Sequence, residues 1–182
     1  EDTPLPLDAI RDLNVSAKFT LQRMIIKQMT LENILLNVDA KNGVVNQKLS
    51  AKAYQGDIIF NSKIEARSNK AALTFDGNVK NFELAPLLKD MEMDEKLSLS
   101  GAIQAKAQGT AQGTSMNQLM NSMNSTASFS GAQVRLAPLN IEEQFCKLVN
   151  LVTQNPAEVS WDAYTEMRQL DGNIVWRDQV IS

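Results

Sequence analysis

The sequence contains no histidine, one cysteine and few aromatic residues, which make up 5% of its 182 residues. Without histidine, Ser/His/Asp and Cys/His catalytic sites are excluded, and the most common metal ligand and general base are missing. The single cysteine, Cys146, allows neither a disulfide framework nor a thiolate metal cluster. No apolar run approaches the ~20 residues of a membrane-spanning helix, and the first residues do not resemble a signal peptide.

The composition that remains is that of a folded protein. Hydrophobic residues make up 43% and charged residues 21% of the chain, which argues against disorder. The net charge is −3 and the basic residues are scattered, so nucleic acid is not expected as a partner. We expect one domain over residues 1–182, truncated after its last strand. Because the chain begins at Glu1 without methionine, we also expect it to be a fragment.

The most regular stretch of the sequence runs from Ile34 to Ala66. Apolar and polar residues alternate in it with the period of a strand that has one buried face. Asn42-Gly43 interrupts the alternation with the residue pair that type I′ hairpin turns prefer. A two-residue turn there predicts three same-side pairs: Ala40 with Val45, Leu36 with Leu49, and Ile34 with Ala51.

A second reversal is predicted at Gln55-Gly56-Asp57. After it, four apolar residues return on the same side for either register of a two-residue turn: Ile58, Phe60, Ile64 and Ala66. One apolar face therefore continues through two reversals.

Similar alternation predicts further strands over residues 13–22, 73–79, 97–107, 127–136 and 165–181. The parity of the apolar positions changes between Ile26 and Ile34, which predicts a bulge or bend near Lys27–Asn33. A bulge is also predicted at Gly131-Ala132. The segment Gly109–Gly113 is interpreted as a turn, since it lacks the Lys-Ser/Thr of a phosphate-binding loop.

Short helices are predicted over residues 7–12 and 84–93, after Ser115, and over residues 141–152. Ser115 with Gln118 and Asn140 with Glu143 form capping-box patterns. The last helix carries an apolar stripe formed by Ile141, Phe145, Leu148, Val149 and Val152. The predicted fold class is α+β: a curved, mostly antiparallel, groove-like sheet of about eight strands with about four short helices packed against part of it.

No group of residues in the sequence has the pattern of a catalytic or metal site, so we expect no enzyme activity, no cofactor and no bound metal. The acidic pairs Asp90/Glu92 and Asp94/Glu95 lack the ligand spacing and the glycine of a calcium loop, which favours a solvated helix end. Cys146 lies between apolar residues of a helix and is expected to be a buried, inert thiol.

The predicted sheet is larger than the helices can cover. Eight strands at a spacing of ~4.8 Å give a width of roughly 38 Å, and four helices of about ten residues cover at most roughly half of one face. The uncovered part either curls over its own helices, joins another domain or holds an apolar ligand. These alternatives stay open at this point.

Several segments resemble, in order, the C-terminal conserved region of the AsmA family. They are LPLDAIRDLNV at 5–15, the N-I-x-L step at 33–36, NGVV at 42–45, LSAKAYQGD at 49–57, LSLSGAIQAKAQGTAQGTSMNQLMNSMNSTASFSGAQV at 97–134, and LAPLNI with the helix after it at 136–141. The family usually has glycine near Ser125 and Gln179, so slightly altered turns are expected there.

The resemblance implies a non-enzymatic periplasmic domain in Gram-negative bacteria, anchored to the inner membrane by a helix outside this fragment. It also implies an apolar groove that carries phospholipid or another apolar lipid between the membranes. The candidate lipid-facing positions are Leu36, Val38, Leu49, Ile58, Phe60, Ile64, Leu73 and Phe75. For each of these positions, the alternative to a lipid-facing role is ordinary packing in the core of the domain.

Other partners implied are the remainder of the chain and outer-membrane assembly components. The alternative function is a structural or interaction module that supports outer-membrane protein assembly, with the apolar face closed by the domain's own helices.

Overall fold

The computed structural model describes residues 2–93, 98–153, 160–177 and 180–181. In chain order its elements are α1 (Leu7–Asp12), β1 (Val15–Ile26), β2 (Met29–Lys41), β3 (Val44–Ala53), β4 (Gly56–Glu65), β5 (Ala71–Glu83), α2 (Leu84–Asp90), β6 (Ser98–Ser100), β7 (Ala102–Gly113), α3 (Met116–Asn121), β8 (Asn124–Ala137), α4 (Ile141–Thr153), β9 (Thr165–Arg177) and β10 (Val180–Ile181).

All described strands belong to one antiparallel sheet. Its order is β1-β2-β3-β4-β5-β7-β8-β9-β10, with the short β6 paired to β8. The sheet is curved and open, because β1 and β10 lie at its two edges and do not pair with each other. The predicted fold class is therefore confirmed: eight long strands carry the sheet, and α1 to α4 are the four helices of the described chain.

The hairpin between β2 and β3 has the predicted turn. Asn42 and Gly43 have φ values of 52° and 73°, the left-handed pair that a type I′ turn requires. Ala40 pairs with Val45, and Leu36 pairs with Leu49.

The third predicted pair of this hairpin, Ile34 with Ala51, falls at a bulge. The β2–β3 register shifts between Glu32 and Leu35, and Asn33 has a φ of 51°. This bulge explains the change of parity in the sequence, since it places Leu31 and Ile34 in the same buried cluster.

The turn predicted at Gln55-Gly56-Asp57 is misplaced, because the observed turn begins one residue earlier. Tyr54 and Gln55 form the turn, with φ values of 48° and 64°, and Gly56 already pairs with Ala53 as the first residue of β4. Glycine is required at position 56 by the neighbouring strand: a Cβ there would lie 2.7 Å from the carbonyl oxygen of Lys80. The close approach of β5, not the turn, accounts for this glycine.

The interpretation of Gly109–Gly113 as a turn is also wrong. These residues are the second half of β7, paired with residues 71–75 of β5. A Cβ on Gly109 would lie 2.6 Å from the Cζ atom of Phe75, so the glycine makes room for an aromatic ring.

The strand predicted over residues 97–107 is divided in the structure. Leu97 lies outside the described residues, and Leu99 belongs to β6, which pairs with β8. Gly101, with a φ of 116°, separates β6 from β7. Ser125 lies inside β8 and not in an altered turn, and Gln179 is outside the described range. The irregularity predicted at Gly131-Ala132 occurs at Gln133, whose φ is 55°.

The helix caps largely follow the predicted pattern. The Ser115 hydroxyl accepts from the Gln118 backbone N–H at 3.2 Å, and the Asn140 Oδ1 atom accepts from the Glu143 N–H at 2.9 Å. In a complete capping box the Gln118 side chain would accept from the Ser115 backbone N–H. Here it accepts from the Thr114 backbone N–H, one residue earlier. Helix α2 ends at Asp90, earlier than the predicted residue 93.

A buried hydrophobic cluster lies at one end of the sheet. It consists of Leu31, Ile34, Ala51, Ala53 and Phe82, with Leu87 of α2 packed against it. Further buried apolar residues lie toward the opposite end, among them Ala40, Val45 and Ala66. At the opposite end, α1 contacts β2 and β3, and α3 contacts β7. The helices thus sit near the strand ends and leave the middle of the sheet uncovered within the described chain.

Candidate functional site: the apolar face of the sheet

A single row of apolar residues crosses the middle of all eight long strands. Residues paired across an antiparallel ladder point to the same side of the sheet, so the register identifies the row without further assumption. In sheet order this middle row consists of Phe19, Leu36, Leu49, Phe60, Gly77, Ala107, Ala127 and Ile174.

Three further rows lie on the same side. The Val45 row contains Val15, Ala40, Val45, Ile64, Leu73 and Ala111. The Gln47 row contains Ala17, Val38, Gln47, Ser62, Phe75, Gly109, Ser125 and Trp176. The Ile58 row contains Leu21, Ile34, Ala51, Ile58, Val79, Ala105, Phe129 and Gly172, interrupted only at the bulge. These four rows are called the apolar face below.

The other side of the sheet is polar. In β4, for example, the residues that alternate with the apolar face are Asp57, Ile59, Asn61, Lys63 and Glu65. Lys52 forms an ion pair with Asp57 across the β3–β4 ladder, and the Asn61 amide donates to Asp76 across the β4–β5 ladder. One side of the sheet is thus suited to water and the other to an apolar partner.

All eight candidate residues lie on the apolar face. Leu36, Leu49 and Phe60 belong to the middle row, and the others are distributed over the remaining three rows: Val38, Ile58, Ile64, Leu73 and Phe75. None of the eight is fully buried, and the Phe60 side chain is 38% exposed. Leu49 and Ile58 pack against the buried cluster, so ordinary core packing explains part of their role.

The sequence prediction missed the continuation of this face on both sides. Phe19 in β1 and Ile174 in β9 belong to the middle row, with exposed fractions of 58% and 43%. Both lie in segments whose alternation is visible in the sequence. The missing information was the register that connects those segments to the central strands.

Aromatic rings lie over glycines on the apolar face. The Phe75 ring covers Gly109 of the neighbouring strand, and the Phe129 ring covers Gly172. Phe60 and Phe75 are stacked, with ring centroids 6.2 Å apart and an angle of 27° between the planes. Aromatic side chains laid along the sheet extend its apolar surface over positions that have no side chain of their own.

The apolar stripe of α4 is exposed. Phe145 is 66% exposed, Leu148 is 60% exposed and Val152 is 78% exposed. The N-terminal end of the helix is held to the start of β9, because the Thr165 hydroxyl accepts from the Ile141 N–H at 2.8 Å. Cys146 of this helix is half-buried, so the expectation of a buried thiol is wrong.

The acidic residues considered as cation ligands have protein partners where they are described. Asp90 accepts a hydrogen bond from the Tyr54 hydroxyl at 2.8 Å, and Glu92 accepts from the Gln28 amide at 3.0 Å. Burial, together with the hydrogen bond to Asp90 and its charge, raises the pKa of Tyr54 to about 12. Asp94 and Glu95 lie outside the described residues.

The part of the chain that the structure covers contains neither a metal-binding cluster nor a membrane-spanning helix. Residues 2–93, 98–153, 160–177 and 180–181 contain no group of three or more Cys, Asp or Glu residues placed to hold a metal ion. None of the helices described is both long enough and apolar enough to cross a membrane.

The fold and the face together define an open antiparallel sheet protein with one continuous apolar surface and one polar surface. The sequence model of the AsmA family matches residues 1–173, so the chain belongs to the AsmA family. The match identifies the family and not an individual member of it. No curated protein and no solved structure matches the chain.

Proposed function

We propose that the apolar face binds the acyl chains of phospholipid or another apolar lipid, and that the domain contributes this surface to lipid transport and outer-membrane biogenesis. The proposal includes no catalytic step. Membership of the AsmA family supports it at the level of envelope biogenesis.

The observation that carries the proposal is the uncovered middle row. Eight consecutive strands place an apolar residue or glycine there, and the row spans ~34 Å at the usual strand spacing. The hydrocarbon core of a bilayer, which is two acyl chains thick, measures about 30 Å. The row is therefore long enough for two acyl chains placed end to end. A soluble protein rarely leaves such a surface without a partner.

We further propose that the domain lies in the periplasm of a Gram-negative bacterium, attached to the inner membrane by a helix outside residues 1–182. In this position one side of the sheet would face water while the other side shields lipid chains from it. The remainder of the same chain would continue the surface, and outer-membrane assembly components are further candidate partners.

A second candidate function is a structural or interaction module in which helices close the apolar face. The exposed stripe on α4 favours it, because Phe145, Leu148 and Val152 form an apolar surface that could cover part of the sheet. A polarity-sensitive dye distinguishes the two candidates. A closed face leaves the dye little apolar surface to bind, whereas an open face binds it and releases it when lipid is added.

Two adjacent residues of β1 allow a direct test of lipid binding. Phe19 lies in the middle row, whereas Thr20 pairs with Leu35 on the opposite side. We expect Phe19→Asp to weaken binding of a fluorescent fatty acid by at least about tenfold, because a carboxylate would be placed against the acyl chain. Thr20→Asp adds the same charge to the polar side and should bind normally.

Native mass spectrometry of the purified domain provides the independent measurement. The proposal predicts co-purified lipid in the wild type and less of it in Phe19→Asp. A wild-type protein that carries no lipid and binds no fluorescent fatty acid would refute it. Equal losses in the two variants would show that charge, not the apolar face, controls binding.

A further inference from the structure

The polar side chains of the apolar face all lie in one row. The middle row, the Val45 row and the Ile58 row contain only apolar residues and glycine. The Gln47 row contains three polar side chains, Gln47, Ser62 and Ser125, and also Trp176 with its indole N–H. If the face served only as a core surface, polar groups would not be expected to gather at one level of it.

Gln47 and Ser62 form a pair on adjacent strands. The Ser62 hydroxyl donates to the Gln47 Oε1 atom at 3.1 Å, and both residues are half-buried. The Gln47 Nε2 group makes no hydrogen bond to any described residue. The pair therefore presents an amide donor at the surface of the apolar face.

Trp176 supplies a second donor at the other end of the row. Its Nε1 atom is buried and has no hydrogen-bond partner in the described part of the chain. Buried polar groups are nearly always paired, so an indole N–H in this state calls for an acceptor. Ser125, the next member of the row, pairs with Trp176 across the β8–β9 ladder.

The donors of this row are neutral. An amide N–H, an indole N–H and hydroxyl groups suit a carbonyl oxygen, and no Lys or Arg occurs in the four rows of the face to balance a phosphate or carboxylate. Residues two apart in a strand lie ~6.7 Å apart, so the Gln47 row runs directly beside the middle row along the whole sheet.

Building on the proposed acyl-chain function, we propose that the Gln47 row binds the ester carbonyl groups of diacyl phospholipids. The acyl chains then lie end to end along the middle row, and the charged head group remains in water. The row sets the depth at which the lipid sits on the sheet. It also makes the face selective for esters over hydrocarbons and ethers of equal length.

Two phospholipids with the same head group and chains test this selectivity, one with ester linkages and one with ether linkages. The ether lipid has the same apolar surface but no carbonyl oxygen. We expect the wild-type domain to bind the ester lipid more tightly by about threefold to tenfold for each hydrogen bond formed.

Two variants assign the difference to the row. Trp176→Phe removes the indole N–H and keeps an aromatic ring, and Gln47→Leu with Ser62→Ala removes the pair. Both should bind the ether lipid as the wild type does and should lose most of the ester preference. Gln108→Leu is the matched control, because Gln108 lies on the polar side of β7; this variant should keep the preference.

The possible outcomes separate this inference from the function on which it rests. Equal wild-type affinity for ester and ether lipids, with binding intact, would overturn the role of the Gln47 row and leave the acyl-chain function standing. Variants that keep the full ester preference would overturn it as well. A wild-type domain that binds neither lipid would overturn both proposals. Circular dichroism of each variant checks that it is folded. The comparison of ester and ether lipids on the wild-type domain does not depend on any variant.

Discussion

The sharpest prediction concerns two neighbouring residues of β4 that point to opposite sides of the sheet. Phe60 lies in the middle row of the apolar face and is 38% exposed. Ile59 lies on the polar side and is 45% exposed. Replacing each by alanine removes a partly exposed apolar side chain from the same strand, but only Phe60→Ala removes it from the proposed lipid-binding surface.

The size of the effect follows from the exposed area. A phenylalanine side chain offers about 200 Å², so an exposed fraction of 38% leaves roughly 75 Å² for a bound acyl chain to cover. At about 25 cal/mol per Å², this contact contributes ~1.9 kcal/mol, or about 25-fold in Kd. Ile59→Ala exposes no surface to lipid in this arrangement, so its Kd should match that of the wild type within about twofold.

The assay is displacement of a fluorescent fatty acid by phospholipid, with urea unfolding measured on the same samples. Both variants should fold, and Phe60→Ala should also lose some stability because its ring is stacked on Phe75. An equal loss of affinity in Ile59→Ala, or unchanged affinity in Phe60→Ala, would refute the assignment of the lipid to this face.

Two further predictions concern stability. Gly56→Ala should lower the free energy of unfolding by about 1–3 kcal/mol, because its Cβ would lie 2.7 Å from the Lys80 carbonyl oxygen. Gly77→Ala, whose Cβ would lie 3.6 Å from Phe60, should change it by less than about 1 kcal/mol, and equal effects in urea unfolding would contradict this packing. The raised pKa of Tyr54, about 12, means that the folded chain holds the phenol proton more tightly than the unfolded chain. This contribution is complete below pH 10 and is lost as the pH rises toward 12, so the stability of Tyr54→Phe, measured by urea unfolding, should fall less than that of the wild type over this range.

Local sequence patterns predict much of this fold because they act through local physics. Alternating side chains define the two sides of each strand, and Asn42-Gly43 selects a turn that needs two left-handed residues. Ser115 and Asn140 mark helix starts through hydrogen bonds that span only three residues.

The wrong predictions concern glycines whose reasons lie elsewhere in the chain. Gly56 suggests a turn, but it is needed where β5 approaches β4, and Tyr54-Gln55 makes the turn instead. Gly109 also suggests a turn, but it accommodates the Phe75 ring. Neither neighbour is visible from the local sequence, because each lies more than 20 residues away.

For each strand, the sequence alone establishes which residues share a side, since that depends only on the period of an extended chain. It does not establish that eight strands bring their apolar sides to one face. The β5–β7 and β8–β9 ladders join segments separated by helices, and a shift of one residue in either register would turn the following strands over. Only tertiary hydrogen bonding decides those registers. It therefore also decides that Gln47, Ser62, Ser125 and Trp176 fall in a single row.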